Sequence, residues 1–174
     1  MTLIELNAID RCAFTTALGG IFEDSPWVAE RAWEMRPFST LDGLHEAMTS
    51  VVLSAPAQEQ LALLRAHPDL GAVRPKPDTT DGSASAISEA SIREQGGAGL
   101  DRLTSDEFGR LGALNAAYRD KFGFPFLYAV KGSTKHDVLN ALERRLLATR
   151  DGEHNEALRQ VFRIARFRLE ELIS

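Results

Sequence analysis

A histidine followed by a proline is the first feature of the sequence that could do chemistry. A helix predicted to begin at Pro56 must end at His67, because Pro68 disfavours helical geometry in the residue before it. The imidazole then lies beside the unpaired carbonyls of a helix end, which favour a cation, so we expect His67 to be held near its protonated form. Such a group could act as a general acid or base. The alternative is a histidine that only caps the helix carbonyls.

Three polar side chains form a second candidate. Ser91, Glu94 and Gln95 are spaced i, i+3 and i+4 in a helix predicted to start at Ser88, so they share one face. The rest of this segment is small or apolar. A polar face of this kind is usually just the solvated side of a helix.

The densest aromatic run of the chain is the third candidate. It covers residues 122–130, where Gly123 and Pro125 interrupt any helix. The backbone should therefore run extended for a few residues and leave its amide groups available to a partner outside the neighbouring turn. A carbonyl or carboxylate of a ligand could be that partner. The alternative is that the aromatic side chains simply fill the core.

An arginine on an apolar helix face is the fourth candidate. The last helix, predicted over residues 153–173, has an apolar stripe formed by Leu158, Val161, Ala165 and Leu172. Arg168 lies about 20° from Val161 on this helix, in the middle of the stripe. A guanidinium cannot lose its charge, so on a buried face it must have an anionic or carbonyl partner. That partner is either an internal glutamate or the carboxylate of a substrate.

Eight helices are predicted to position these groups, in an all-α fold that forms one compact domain over residues 1–174. The predicted helices cover residues 8–18, 26–37, 39–53, 56–67, 104–122, 135–149 and 153–173, with one more starting at residue 88. Asn7 and Asp10 are expected to cap the first of them, and Thr104 with Glu107 forms the clearest capping box. Residues 71–87 are rich in glycine, proline and small polar residues, which predicts a long loop that is a lid or a disordered excursion.

Composition narrows the class of protein. The chain has 174 residues, 44% hydrophobic and 26% charged, as is ordinary for one globular domain. The net charge of −5 argues against a nucleic-acid partner. The single cysteine, Cys12, allows no internal disulfide and is expected to be a small core residue. We find no signal peptide and no membrane-length apolar run, so a cytoplasmic protein without membrane contact is expected.

Several kinds of site lack support in the sequence. His45, His136 and His154 stand apart from one another and have no acidic or cysteine neighbours at metal-ligand spacing, so no metal is expected. The glycine-rich residues 96–99 do not follow a strand, which makes them weak as a nucleotide-binding motif. No internal repeat is present.

Taken together and in order, the four candidates resemble a known family. His67–Leu70, Ser91–Gln95, Phe122–Phe126 and Arg168 are similar to motifs of the 2-oxo-4-hydroxy-4-carboxy-5-ureidoimidazoline (OHCU) decarboxylases of urate degradation. Further matching segments are Phe22–Glu30, Ala98–Leu100, Asn115–Tyr118 and Arg168–Leu169. The resemblance therefore extends over essentially the whole chain. One departure from the family pattern is the proline-rich segment Gly71–Pro77, which lacks the usual continuation similar to Ala-Gly-Lys.

The resemblance implies an all-α homodimer, without cofactor or metal, that converts its small-molecule ureidoimidazoline substrate to (S)-allantoin and carbon dioxide. By the match, His67 is the catalytic acid–base group, Glu94 the key carboxylate, and Arg168 the group that holds an anionic or carbonyl part of the substrate. The implied substrate-binding residues are Pro68, Ser91, Ile92, Arg93, Glu94, Gln95, Phe126, Leu127, Tyr128, Ala129 and Val130. Two alternatives stay open: a lyase or hydrolase that acts on a related ureido compound, and a helical binding module without enzymatic activity.

Overall fold

The structure is a computed structural model that describes residues 1–71 and 89–174. Within these residues the chain forms nine α-helices, two short 3-10 segments and no strand, which confirms the all-α prediction. The helices are α1 (Leu3–Ala8), α2 (Arg11–Leu18), α3 (Trp27–Ala32), α4 (Leu41–Leu53), α5 (Ala57–Ala66), α6 (Glu89–Gly97), α7 (Ser105–Phe122), α8 (Lys135–Arg145) and α9 (Arg150–Leu172). The 3-10 segments are Trp33–Met35 and Leu100–Arg102.

The helices belong to two compact units. One consists of Met1–His67 and Val161–Ser174, and the other of Pro68–Gln160. Helix α9 contributes residues to both. A single domain over residues 1–174 stays a prediction.

The first unit is held together by apolar side chains of α1–α5 and of the last part of α9. Its largest fully buried side chains include Leu6, Phe14, Leu18, Phe22, Leu44, Met48, Leu63 and Leu64. Val161 and Ala165 are also buried, as predicted for the apolar stripe of the last helix, whereas Leu172 at the end of that stripe is only half-buried. Arg168 shares that buried face, as its spacing predicts.

The start of the chain differs from the prediction. Instead of one helix over residues 8–18, the chain forms α1 and then α2, and Asp10 caps α2 by accepting a hydrogen bond from the Ala13 N–H at 2.9 Å. Asn7 caps no helix. Its side-chain amide donates to the Phe38 carbonyl at 2.8 Å, and its side-chain oxygen accepts from the Phe38 N–H at 2.9 Å. This long-range pair satisfies the backbone of Phe38 and leaves Asp10 as the local cap.

Cys12 is exposed, so its expected place in the core is wrong. Helix α2 buries Phe14 and Leu18, which are four residues apart and therefore lie on one face. Cys12 precedes Phe14 by two residues and points to the other side of the helix.

Helix α7 of the second unit begins and ends as predicted. The Thr104 hydroxyl accepts from the Glu107 N–H at 3.2 Å, and the Thr104 N–H donates to Glu107 Oε2 at 2.8 Å, which together form the expected capping box. The helix ends at Gly123, whose φ of 82° is left-handed backbone that a glycine adopts readily. Residues 125–130 then form neither helix nor turn, in agreement with the predicted interruption.

Two other boundaries need comment. Residues 151 and 152 were expected to form a turn, but they lie in the first turn of α9, which begins at Arg150. Of the predicted loop over residues 71–87, all but Gly71 lies outside the described residues, as does Ser88. The lid therefore stays a prediction. In residues 1–71 and 89–174 no helix has the length and apolar character that crossing a bilayer requires.

Candidate active site

His67 is placed by the end of helix α5. Its backbone has φ −75° and ψ 142°, the extended geometry that Pro68 was expected to impose. The ring folds back on the helix, and Nδ1 lies 2.9 Å from the carbonyl oxygen of Leu63. Because a carbonyl only accepts hydrogen bonds, Nδ1 must carry the proton of this contact. In the neutral imidazole the basic lone pair is then on Nε2, so the tautomer of His67 is fixed by the helix.

The protonation state expected for His67 is wrong. Burial of the ring, which is only 6% exposed, is the largest effect and lowers the pKa of His67 below its usual value. The hydrogen bond to the Leu63 carbonyl and the charges of Glu23 and Asp24 raise this pKa, while the charge of Arg168 lowers it. Desolvation outweighs the attraction of the helix end for a cation, so burial favours the neutral form of the His67 imidazole.

Arg168 has the internal partner that its buried position requires. Its Nη1 donates to Glu23 Oε2 at 2.9 Å and to the Gly20 carbonyl at 3.2 Å. The side chains of Arg168 and Glu23 are 6% and 7% exposed, so this is a buried ion pair. Of the two partners considered from the sequence, the internal glutamate is the one observed. Both residues also act electrostatically on His67, so the three side chains form one cluster within the first unit.

Glu23 is the member of this cluster that sequence reasoning missed. It lies in the connection between α2 and α3, and an acidic residue in a connection is usually exposed on the surface. The next residue, Asp24, has a φ of 42°, a conformation that L-residues other than Asn and Asp adopt rarely. The one available signal was the need of Arg168 for an anion, which predicts that a partner exists without saying which carboxylate supplies it.

The predicted polar face of α6 lies in the second unit and is only partly solvated. Ser91 and Gln95 are buried, Glu94 is half-buried, and Ile92 is 45% exposed. The interpretation of this face as merely the solvated side of a helix is therefore wrong for Ser91 and Gln95. Gln95 has a structural task, because its Oε1 accepts the N–H of Gly71 at 2.9 Å. Arg93, also predicted to bind substrate, is exposed.

The segment 126–130 is buried except for Tyr128, which is half-buried. The sequence predicted that backbone groups of this segment would be available to a ligand, but two of them already have partners within the protein. The Leu127 carbonyl accepts from Arg145 Nη1 at 2.6 Å, and the Ala129 N–H donates to Gln160 Oε1 at 2.9 Å. The segment thus fills the core and is also held by polar side chains.

The structure assigns the predicted catalytic residues to different units. His67 and Arg168 belong to the first, together with Glu23, whereas Pro68, Glu94 and residues 126–130 belong to the second. The catalytic and binding roles of all these residues, His67 and Arg168 included, stay predictions. Across the part of the chain that the structure describes, no group of three or more histidine, cysteine, aspartate or glutamate side chains could hold a metal ion.

The comparisons with known proteins all indicate the same family. A family model described as OHCU decarboxylase matches residues 7–170. The OHCU decarboxylase of Halalkalicoccus jeotgali is 44% identical over 172 residues, which cover 99% of this chain and 92% of that protein. The uric acid degradation bifunctional protein PucL of Bacillus subtilis is 43% identical over 173 residues, 99% of this chain but 33% of its own length. The chain thus spans about a third of that bifunctional relative.

Solved structures show the same fold. A crystal structure of (S)-allantoin synthase superimposes with a TM-score of 0.78 at 34% identity and covers 99% of this chain and 54% of its own. A crystal structure of OHCU decarboxylase in the presence of (S)-allantoin superimposes with a TM-score of 0.68, covering 94% of this chain and 98% of its own. At 19% identity the second comparison concerns the fold alone.

The buried pair predicts a large effect of removing Glu23. Glu23→Gln leaves the Arg168 guanidinium buried without its carboxylate, and we expect the free energy of unfolding to fall by roughly 3–5 kcal/mol. The double variant Glu23→Gln/Arg168→Met removes both charges and should recover much of this loss. Urea unfolding measures both. As a control, Glu59→Gln breaks the exposed pair with Arg31 and should have little effect. A Glu23→Gln protein as stable as the parent would contradict this account of Arg168.

The lowered pKa of His67 predicts a specific pH dependence of stability. In the unfolded chain imidazole takes up a proton near its usual pKa of about 6.5, whereas the buried ring does so only at lower pH. Between these pH values the unfolded state binds more protons, so the free energy of unfolding falls as the pH falls.

We expect His67→Gln to remove this part of the acid slope, which urea unfolding from neutral pH to well below pH 6.5 measures. His136→Gln, at an exposed histidine of α8, is the control and should keep the slope of the parent. Equal slopes in the parent and in His67→Gln would show that His67 is not held neutral by burial.

Proposed function

The chain belongs to the OHCU decarboxylase family, and we propose that it converts OHCU to (S)-allantoin and carbon dioxide in urate degradation, with His67 as the acid–base group. The family assigns the chain to the carboxy-lyases. The relatives of that name, at 36–44% identity over nearly the whole chain, support the reaction. The observation that carries the role of His67 is a buried imidazole with a fixed tautomer beside the Glu23–Arg168 pair.

The reaction sets the chemical task. The substrate bears a hydroxyl and a carboxylate on one ring carbon, and the bond to the carboxylate breaks to release carbon dioxide. The electron pair of that bond moves into the conjugated ring. The hydroxyl oxygen then loses its proton and becomes a carbonyl, the neighbouring carbon, which bears the ureido group, gains a hydrogen, and the ring nitrogen on which the electron pair arrives takes up a further proton. Starting from the carboxylate, one proton is taken up overall.

His67 suits this task as a neutral base. Its Nδ1–H is occupied by the Leu63 carbonyl, so Nε2 is the atom that accepts the proton of the substrate hydroxyl. The imidazolium so formed returns a proton to the carbon that carries the ureido group. Because a fixed ring delivers the proton from one side, the product is a single enantiomer. The charges of Glu23 and Asp24 favour the transient imidazolium.

Arg168 is proposed to hold an anionic or carbonyl group of the substrate. The guanidinium keeps its charge at any physiological pH, and the bonds of Nη1 to Glu23 and to the Gly20 carbonyl fix its direction. Glu23 holds the guanidinium in place and balances its charge, so that the site is not strongly positive before the substrate binds.

The remaining contacts to substrate are proposed for the other residues that the family resemblance implies. Glu94 is the carboxylate that accepts from the hydroxyl or the ureido group, and its half-buried position is consistent with a polar ligand contact. The other proposed binding residues are Pro68, Ser91, Ile92, Arg93, Gln95 and Phe126, Leu127, Tyr128, Ala129 and Val130 of the aromatic run. We further propose that the protein is a homodimer, as the sequence resemblance implies, and that it is cytoplasmic, as was expected from the sequence itself.

Two alternatives make different predictions. A lyase or hydrolase for a related ureido compound would turn over ureidoglycolate or allantoin rather than OHCU, so the three compounds are offered in parallel. A non-enzymatic binding module would leave the decay of fresh OHCU unchanged. Spontaneous decay gives racemic allantoin, so circular dichroism during the reaction separates enzymatic from spontaneous product. The proposal is supported if the protein makes OHCU decay faster than it does spontaneously and if a single enantiomer of allantoin is formed.

We expect His67→Ala to lower kcat/KM for OHCU by about 10²–10⁴, because it removes a positioned acid–base group. The readout is the circular dichroism of the allantoin formed from fresh OHCU. The matched control is His136→Ala, which removes an exposed imidazole from α8 and should leave the rate unchanged. A folded His67→Ala protein with the parental rate and product would exclude His67 as the acid–base group.

Glu94→Gln tests the contribution of α6. The change removes the negative charge and keeps the size, so we expect a loss of about 10²-fold or more in kcat/KM with little change in thermal stability. Glu89→Gln, at an exposed glutamate of the same helix, is the control. If the two variants have the same kcat/KM, Glu94 has no role in the reaction that an exposed glutamate of the same helix lacks.

A further inference from the structure

We infer that Arg145 and Gln160 are positioning residues that hold the backbone of the substrate-binding segment 126–130 in the geometry required for binding. Neither residue is among those that the family resemblance implies. The inference rests on the proposed function, since that proposal assigns this segment to substrate contact.

Arg145 anchors the first half of the segment. Its Nη1 donates to the Leu127 carbonyl at 2.6 Å, and its guanidinium carbon lies 4.7 Å from the centre of the Phe126 ring. One buried side chain therefore fixes both a peptide group and the aromatic ring next to it. A cation over an aromatic face in a site shielded from water is a favourable contact.

Arg145 is itself held by a buried acid. Its Nε donates to Glu153 Oε1 at 2.7 Å, and its Nη2 bonds the same oxygen. The side chain of Glu153 is 1% exposed, and the phenol of Tyr118 donates to it as well. Burial raises the pKa of Tyr118 far above its usual value, so the phenol stays protonated and remains a donor. The guanidinium thus has a preset direction before any ligand arrives.

Gln160 anchors the second half. Its Oε1 accepts the Ala129 N–H at 2.9 Å, and its Nε2 donates to Glu156 Oε1 at 2.7 Å, which fixes the orientation of the amide. Gln160 is buried. The anchored groups, the Leu127 carbonyl and the Ala129 N–H, lie two residues apart with Tyr128 between them.

This arrangement explains how a segment without regular secondary structure can bind a small ligand. An irregular backbone loses conformational freedom when it orders around a ligand, and that loss weakens binding. Arg145 and Gln160 remove the freedom in advance. Their loss should therefore raise KM for OHCU more than it lowers kcat, whereas a defect confined to folding would lower the amount of active protein and leave KM unchanged.

The test uses two variants of the full chain. Gln160→Met keeps the length of the side chain and removes the acceptor for Ala129. Arg145→Met/Glu153→Gln removes the buried charges together, so that neither is left unpaired, and keeps an acceptor for Tyr118. The matched control is Arg110→Met/Glu143→Gln, which removes an exposed ion pair between α7 and α8. Kinetics with OHCU are combined with amide hydrogen exchange of residues 126–130.

We expect each variant to raise KM roughly fivefold or more, with a smaller change in kcat, and to speed exchange of the Ala129 amide in Gln160→Met at least tenfold. The control should match the parent. If Gln160→Met folds and its KM is unchanged, the inference is overturned, whatever the exchange rate shows. This conclusion does not depend on whether the double variant folds. A parent chain without OHCU decarboxylase activity would instead mean that the proposed function is wrong.

Discussion

The burial of one imidazole against a helix carbonyl is the constraint on which the proposed chemistry depends. Pro68 ends helix α5, the ring of His67 turns back to the Leu63 carbonyl, and removal from water lowers its pKa. These three facts together make one nitrogen a donor to the protein and the other a base. A solvated ring in the same place would exchange between tautomers and would have an ordinary pKa, so neither the direction nor the timing of proton transfer would be set.

Two buried guanidinium groups show the same construction. Arg168 pairs with Glu23 and also binds the Gly20 carbonyl, while Arg145 pairs with Glu153 and also binds the Leu127 carbonyl. Desolvation offsets much of the attraction in such pairs, so they contribute little net stability. What they do define is geometry, because each arginine binds a backbone carbonyl in another segment of the chain: Gly20 is 148 residues from Arg168, and Leu127 is 18 residues from Arg145. The two units of the chain each contain one such pair.

The parts of the structure that depend on local interactions were predictable from sequence. The capping box of Thr104 and Glu107 and the end of α5 at His67 need only neighbouring residues, and the burial of Arg168 follows from helical periodicity. The identity of its partner was not predictable, since Glu23 is 145 residues away in the chain. The prediction that Asn7 caps a helix was wrong for the same reason, because its side chain forms hydrogen bonds with the distant Phe38 and not with the adjacent helix.

The protonation of His67 was misjudged because two effects of unequal size compete. The attraction of a helix end for a cation is typically below about 1 kcal/mol at an exposed site, whereas burial can shift a pKa by several units, each worth about 1.4 kcal/mol. Only the structure shows that the ring is buried. The family resemblance predicted which residues matter, but it could not supply this environment.

The exposed thiol of Cys12 has a practical consequence for measuring assembly. It is the chain's sole cysteine, so on air oxidation it can pair only with a second molecule. Such a covalent dimer would have the same mass as a natural homodimer in light scattering or gel filtration. Samples kept under reductant, or alkylated at this position, distinguish the two. The same thiol accepts a fluorophore or spin label without mutagenesis, at a known place on α2.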